Sequence, residues 1–289
     1  MDFSDVDRIA LTAAIKRLEE PGVAGKMTTL AGRPAELVAR ALPGPAAAIV
    51  AKAAETALMR ALDIALFSLH GRRFIGGRVV HSALASASGA VGGAFGLIAL
   101  PVELPVSTAI MLRTIAEIAR EEGEDLSDPR TRLACLEVFA LGHTGRAAPD
   151  DAEADYFALR VLLARGLALA ADTLVHKGTA HSSSALMHRA LSHIVARFTA
   201  VVSQKLALQG VAIIGAVGGA VVNLAFIEQY YGLARGHFTV RRLERVYGAE
   251  AVRAEYDQLK VAELRQPAHI AHSHVLGPQL PNTKPRLWK

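Results

Sequence analysis

At 289 residues the chain is long enough to bury a sizeable core, as one large domain or two modest ones. With 52% hydrophobic and 20% charged residues and a mean hydropathy of +0.29, it is too apolar for an ordinary soluble domain and too charged for a polytopic transporter. The formal charge of +5 suits a negatively charged partner such as anionic lipid. The basic residues are dispersed among acids and only 5% of the chain is aromatic, which argues against nucleic acid as a partner.

Ser4 is an N-cap for a first helix over residues 4 to 20, stopped by Pro21-Gly22. A small Gly/Pro-punctuated unit follows to Pro45. Residues 46 to 69 then read as an amphipathic helix, with Lys52, Glu55, Arg60 and Asp63 on one side and Val50, Ala54, Ala57, Leu58, Ala61 and Ala65 on the other. A basic glycine-rich joint at 71 to 78 precedes the first very apolar stretch, which lies between Arg78 and Arg113 and carries one charge, Glu103. Pro101 and Pro105 are expected to break that stretch, leaving a helix from about 105 to 122 that ends at Gly123. Ser127-Asp128-Pro129 opens the next helix, which runs to about 141 before Gly142.

After an acidic loop, residues 153 to 177 are helical again, as are 185 to 207 beyond the polar break at 178 to 184. The second apolar stretch, Leu206 to Ile227, holds no charge and is bounded by Lys205 and Glu228. Both stretches are long enough to cross a hydrocarbon layer, which takes roughly 20 apolar residues as helix. A short helix is expected from near Thr239 to Gly248, with His237 ordering the turn before it, and another over about 249 to 264. The Pro- and His-containing segment 266 to 289 reads as an irregular tail. The chain is therefore expected to be all-α, a helical bundle forming a single domain over 1 to 265.

Gly89-Ala90-Val91-Gly92-Gly93-Ala94 recurs intact as Gly215-Ala216-Val217-Gly218-Gly219-Ala220, at the centre of the two apolar stretches. Glycines four apart (Gly89 with Gly93, Gly92 with Gly96, Gly215 with Gly219) remove side-chain bulk along a strip and let another backbone come close. The two central helices are thus expected to pack on each other near Gly93 and Gly219, with Gly218 on the same element. Ala57-Leu58-Met59 is echoed by Ala185-Leu186-Met187, so the chain reads either as an internal pseudo-repeat or as an Ala/Gly-rich sequence that echoes by chance.

Several separated blocks resemble the EcsC family of bacterial proteins. They include Glu20-Pro21-Gly22, Gly92-Gly93-Ala94-Phe95-Gly96, Glu103-Leu104-Pro105-Val106, the run Met111 to Arg120, Arg132-Leu133-Ala134-Cys135-Leu136-Glu137-Val138, and Arg242 to Gly248. They span residues 20 to 260 in order. The family is named for its place beside an ABC transporter operon linked to secretion, so the resemblance implies a transport context; it implies no reaction and no catalytic residues.

Glu103 is the sharpest single residue, a carboxylate set among apolar residues and two prolines. It reads either as a proton-handling or headgroup-contacting acid, or as a structural partner for a cation. Arg113, His237 and Arg241 complete the candidate lipid or ligand contacts; the run Arg235, Arg241, Arg242, Arg245 suits anionic lipid or a solvated helix face equally. The eleven histidines lack HExxH or the four-residue spacing of a helical metal pair, and Cys135 is the only cysteine, so neither a metal nor another cofactor is expected. No nucleophile motif and no phosphate loop is readable. The acidic start Met1 to Asp7 is unlike a secretory signal, which places the protein in the cytoplasm or on the cytoplasmic side of the cell membrane. The expected function is that of a non-enzymatic, membrane-associated or lipid-interacting accessory protein and potential transporter component. The alternatives are a soluble hydrolase using Glu103 or histidines in a cleft, and a soluble lipid carrier.

Overall fold

In the computed structural model of the chain, the described residues are 3–19, 44–67, 100–142, 156–177, 185–210 and 215–265. They form eight helices and no strand: α1 (Asp5–Glu19), α2 (Gly44–Phe67), α3 (Leu100–Glu121), α4 (Pro129–Leu141), α5 (Tyr156–Lys177), α6 (Ala185–Gly210), α7 (Gly215–Tyr247) and α8 (Ala249–Arg265). The all-α expectation holds for these residues. The glycines Gly89, Gly92, Gly93 and Gly96 lie outside them. Gly215, Gly218 and Gly219 are helical, but their surroundings are also outside the description, as is the expected packing of Gly93 on Gly219.

Helix α4 is the hub. It packs against α2, α3, α5, α6 and α7, and every residue from Thr131 to Leu141 is buried. Its start follows from local chemistry: the Asp128 side chain accepts from the Arg130 amide at 2.9 Å, and Pro129 occupies the first helical position, where a missing N–H costs nothing. Its other end is buried, so its orphan carbonyls need partners from neighbouring helices. Arg197 Nε donates to the Ala140 carbonyl at 2.9 Å, Gln229 to that of Gly142 at 2.9 Å, and the Tyr230 hydroxyl to that of Phe139 at 3.3 Å. Phe139, Phe198 and Tyr230 pack as an aromatic cluster with ring centroids 5.2 to 6.2 Å apart.

Around this hub, α2 presents an alanine-rich face (Ala53, Ala54, Ala57, Ala61 and Ala65 are buried) on which α3 and α6 lie. Ser4 caps α1 by accepting from the Asp7 amide at 3.1 Å, and Leu11, Ala14, Ile15 and Leu18 turn its apolar face to α7. Helix α3 ends in a Schellman turn: the Glu124 amide bonds to the Ala119 carbonyl and the Gly123 amide to that of Arg120, with Gly123 at φ +82°.

Three local expectations are corrected. Helix α3 runs through Pro105 instead of starting there. The residue lies in its second turn, where the carbonyl deprived of a partner belongs to exposed Pro101. Helix α4 does end before Gly142 as expected, with Gly142 at φ −61°; a Cβ there would stand 2.5 Å from the Tyr230 hydroxyl, so the glycine makes room for that cap. Leu206–Ile227 is divided between α6, which ends at Gly210, and α7, which begins at Gly215. Among the described residues no helix is long and apolar enough to cross a membrane. Finally, no helix starts near Thr239. Helix α7 is continuous from Gly215 to Tyr247, and His237 lies within it.

That continuity makes Gly236 a contact and not a break. A Cβ at Gly236 would stand 2.9 Å from Leu18 Cγ and 3.1 Å from the Ala14 carbonyl, so α1 crosses α7 at close range there. At Gly232 the corresponding distance to Arg17 Cγ is an ordinary 4.0 Å. Gly236→Leu should therefore wedge α1 from α7 and destabilise the protein by about 1–3 kcal/mol or more in urea unfolding. Gly232→Ala should stabilise by up to about 1 kcal/mol through helix propensity alone. Equal effects at the two positions would refute the close crossing.

Candidate functional site

Helices α4, α5, α7 and α8 enclose an open groove of about 690 Å³. Helical spacing builds each wall. On α4, Arg130, Ala134 and Glu137 fall on one face at four- and three-residue steps; on α5, Phe157, Arg160, Val161, Ala164 and Ala168 do the same over three turns. Arg241 and Glu244 come from one face of α7, and Ala249, Glu250 and Arg253 from the first turns of α8. Gly248, at φ +88°, makes the sharp turn that folds α8 back beside α7. The α5 wall is predominantly apolar, with guanidinium groups around it.

Two of those guanidiniums are locked. Arg160 grips Glu244 bidentately at 2.7 and 2.9 Å, and Arg241 grips Glu124 at 2.8 and 3.0 Å. Burial pushes the Glu124 carboxyl up, but its hydrogen bonds and charge contacts with Arg241 and Arg245 outweigh that and hold it below its ordinary value. Arg253 lies 5.6 Å over the Phe157 ring at the groove's edge.

Below them sits a group with a different environment. Glu137, only 6% exposed, makes no hydrogen bond among the described residues. His237 Nε2 stands 3.9 Å from its Oε2, beyond hydrogen-bond reach, and is itself buried without a hydrogen-bond partner among the described residues. The other imidazole nitrogen, Nδ1, is 3.0 Å from the Tyr156 hydroxyl. Burial, aided by the positive charges of Arg160 and Arg241, holds His237 well below its ordinary range, so it is neutral and the contact with Glu137 is not an ion pair. Burial also lifts Glu137 to about 7, against the pull of Arg160 and Arg241. Thus the groove contains a carboxyl that changes charge near neutral pH. Among the described residues its lining presents no serine, threonine or cysteine. Cys135 is fully buried, and burial pushes its thiol up to about 12.

The EcsC protein family model matches residues 76–243, more than half of the chain. The chain belongs to the EcsC family. No curated protein and no solved structure matches it. In this EcsC protein the matched segment supplies Arg130, Glu137, Arg160, His237 and Arg241, while Glu244 and α8, which close the groove, lie beyond it.

Of the residues singled out from the sequence, the structure brings Arg241 and His237 to one place, Arg241 on the groove wall and His237 beneath Glu137. Glu103 lies elsewhere, buried against α6, where Lys205 Nζ donates to it at 3.2 Å and sits 4.9 Å over the Phe226 ring. Arg113 is half-buried midway along α3 and does not line the groove. The arginine run of α7 faces a cluster of acids. Arg235 pairs with Glu121 and Glu122, Arg242 with Glu122 and Asp7, and Arg241 and Arg245 with Glu124. Sequence reasoning passed over Glu137. Its signal was a lone acid inside the otherwise apolar run Leu133 to Leu141, the same signal that marked Glu103.

A carboxyl whose folded pKa lies above its unfolded value contributes stability that is fully present below the unfolded value and is lost as pH rises through the folded one. For Glu137 that window runs from the ordinary 4.5 to about 7. Relative to Glu137→Gln, the parent should lose about 3 kcal/mol of folding free energy as pH rises through that window. Urea unfolding of both proteins at several pH values measures this, with other titrating groups cancelling in the difference. A flat difference would contradict a neutral Glu137.

Proposed function

We propose that this EcsC protein is a non-enzymatic, lipid-interacting accessory protein that works beside a membrane. The groove carries this reading. A space of about 690 Å³ falls in the usual range for small-ligand sites, roughly 300–1,000 Å³, and its wall of Phe157, Val161, Ala164 and Ala168 is apolar. Arg130 and Arg253 add positive charge to an apolar surface, the pattern that suits an amphiphile with a negative head. The resemblance to a family named for its association with an ABC transporter operon supports a place near envelope transport or secretion, on the cytoplasmic side.

The hydrolase alternative finds less support. Glu103 is held by Lys205 away from the groove, and the described residues of the groove lining offer no hydroxyl or thiol nucleophile. A soluble carrier and a membrane-bound accessory protein would use the same groove and differ in where the protein resides.

Mass spectrometry of organic extracts from the purified protein tests the reading, together with flotation on anionic and neutral liposomes. The parent should carry acyl lipid or float with anionic vesicles. Val161→Glu, which places a charge at an exposed groove position (64% exposed), should lose the lipid without losing stability. A parent free of lipid that floats with neither vesicle type would overturn the reading.

A further inference from the structure

We propose that the groove takes a single-chain carboxylic acid, a fatty acid, whose head group hydrogen-bonds to the carboxyl of Glu137. This rests on the lipid-interacting reading and names the ligand class and the residue that selects it. The geometry comes first. Glu137 is nine-tenths buried, opens onto the groove, and has no hydrogen-bond partner among the described residues. A carboxyl that faces an apolar groove and makes no hydrogen bond to the described protein residues offers its bonding capacity to whatever occupies the groove, so the site favours a ligand with a group to pair with it.

The surrounding charges choose between head groups. The ionisable groups facing Glu137 are Arg160 and Tyr156 from α5 and His237, Arg241 and Glu244 from α7; α8 brings Glu250 and Arg253 to the edge, and Arg130 lies two turns back on α4 itself. Glu124, from the turn before α4, faces Arg241, and Arg197 of α6 is directed to the Ala140 carbonyl. A dianionic phosphate calls for uncommitted guanidiniums at close range, yet Arg160 and Arg241 are each held by a carboxylate through two hydrogen bonds. A carboxylate needs less. Protonated Glu137 can donate one short hydrogen bond to it, and the shared proton leaves a single negative charge within reach of both arginines. Two carboxyls in one low-dielectric site cannot both ionise, so they hold one proton between them. The tail follows the α5 wall. Phe157 to Ala168 spans about 16 Å of helix, comparable to an extended chain of about a dozen carbons.

Binding of this kind takes up a proton. Above the pH at which free Glu137 ionises, affinity for laurate should fall by up to about tenfold per pH unit. Isothermal titration of the full-length protein with laurate, below its micellar range and from about pH 6 to about pH 8.5, reads this directly. Dodecyltrimethylammonium serves as the same-length cation, and flotation and lipid extraction are run on the same preparations. The parent should bind laurate more tightly at the lower pH and bind the cation more weakly than laurate throughout. Glu137→Gln, whose amide donates at every pH, should bind laurate with an affinity that no longer varies with pH. Laurate binding that is flat with pH in the parent, a cation that binds more tightly than laurate, or a glutamine variant that keeps the parent's slope would each overturn the assignment to Glu137 while leaving lipid interaction standing. Binding of neither amphiphile, with no co-purifying lipid and no flotation, would sink both.

Discussion

Helix α4 has no solvent face between Thr131 and Leu141, and much of the molecule is arranged around that enclosure. A buried helix must have its end carbonyls satisfied, and here three side chains from α6 and α7 supply the bonds. It must also accommodate whatever polar side chains it carries. Glu137 and Glu103 meet this demand in two ways. Glu103 is matched by a buried cation, Lys205, whose ammonium is pulled down by burial and held up by the carboxylate. Glu137 has arginines nearby, but each is committed to another acid, so burial shifts it toward the neutral form. The neutral carboxyl costs about 3 kcal/mol of shifted ionisation, less than an unpaired buried charge would.

The commitment of those arginines has its own origin. The turn between α3 and α4 carries Glu122 and Glu124, and α7 sets Arg235, Arg241, Arg242 and Arg245 against it. Single exposed ion pairs contribute little, roughly 0–1 kcal/mol. This set is a shared network, with Asp7 of α1 joined through Arg242, so it ties the amino-terminal helix, the turn and α7 together. The same network fixes Arg241 on the groove wall. A net positive chain therefore presents little unpaired positive charge along the described part of α7.

Most helices were legible because their signals are local: Ser4 and Asp128 as caps, Pro129 at a first position, Gly123 and Gly248 as left-handed stops. The misreadings share a cause. The Gly236-His237 segment and Pro105 look like breaks in a one-dimensional pattern, yet Gly236 makes room for Leu18 inside a continuous helix, and Pro105 lies near a helix start where its lost bond reaches an exposed turn. Whether a glycine ends a helix or admits a neighbour depends on the neighbour, which the local sequence does not contain. Glu137 was hidden for the same reason. A lone acid in an apolar run can be a paired structural charge or an open functional one, and only the third dimension shows that Lys205 meets Glu103 while Glu137 opens onto a groove.

The ionisation state of Glu137 decides how the groove works, and carbon-13 NMR of the protein labelled at glutamate Cδ reports it directly. One carboxyl resonance should titrate near 7, apart from the rest, and it should be the one missing from Glu137→Gln. If every glutamate titrates below about 5, the carboxyl is charged at neutral pH and the groove has no neutral acid at its floor to bind a carboxylate.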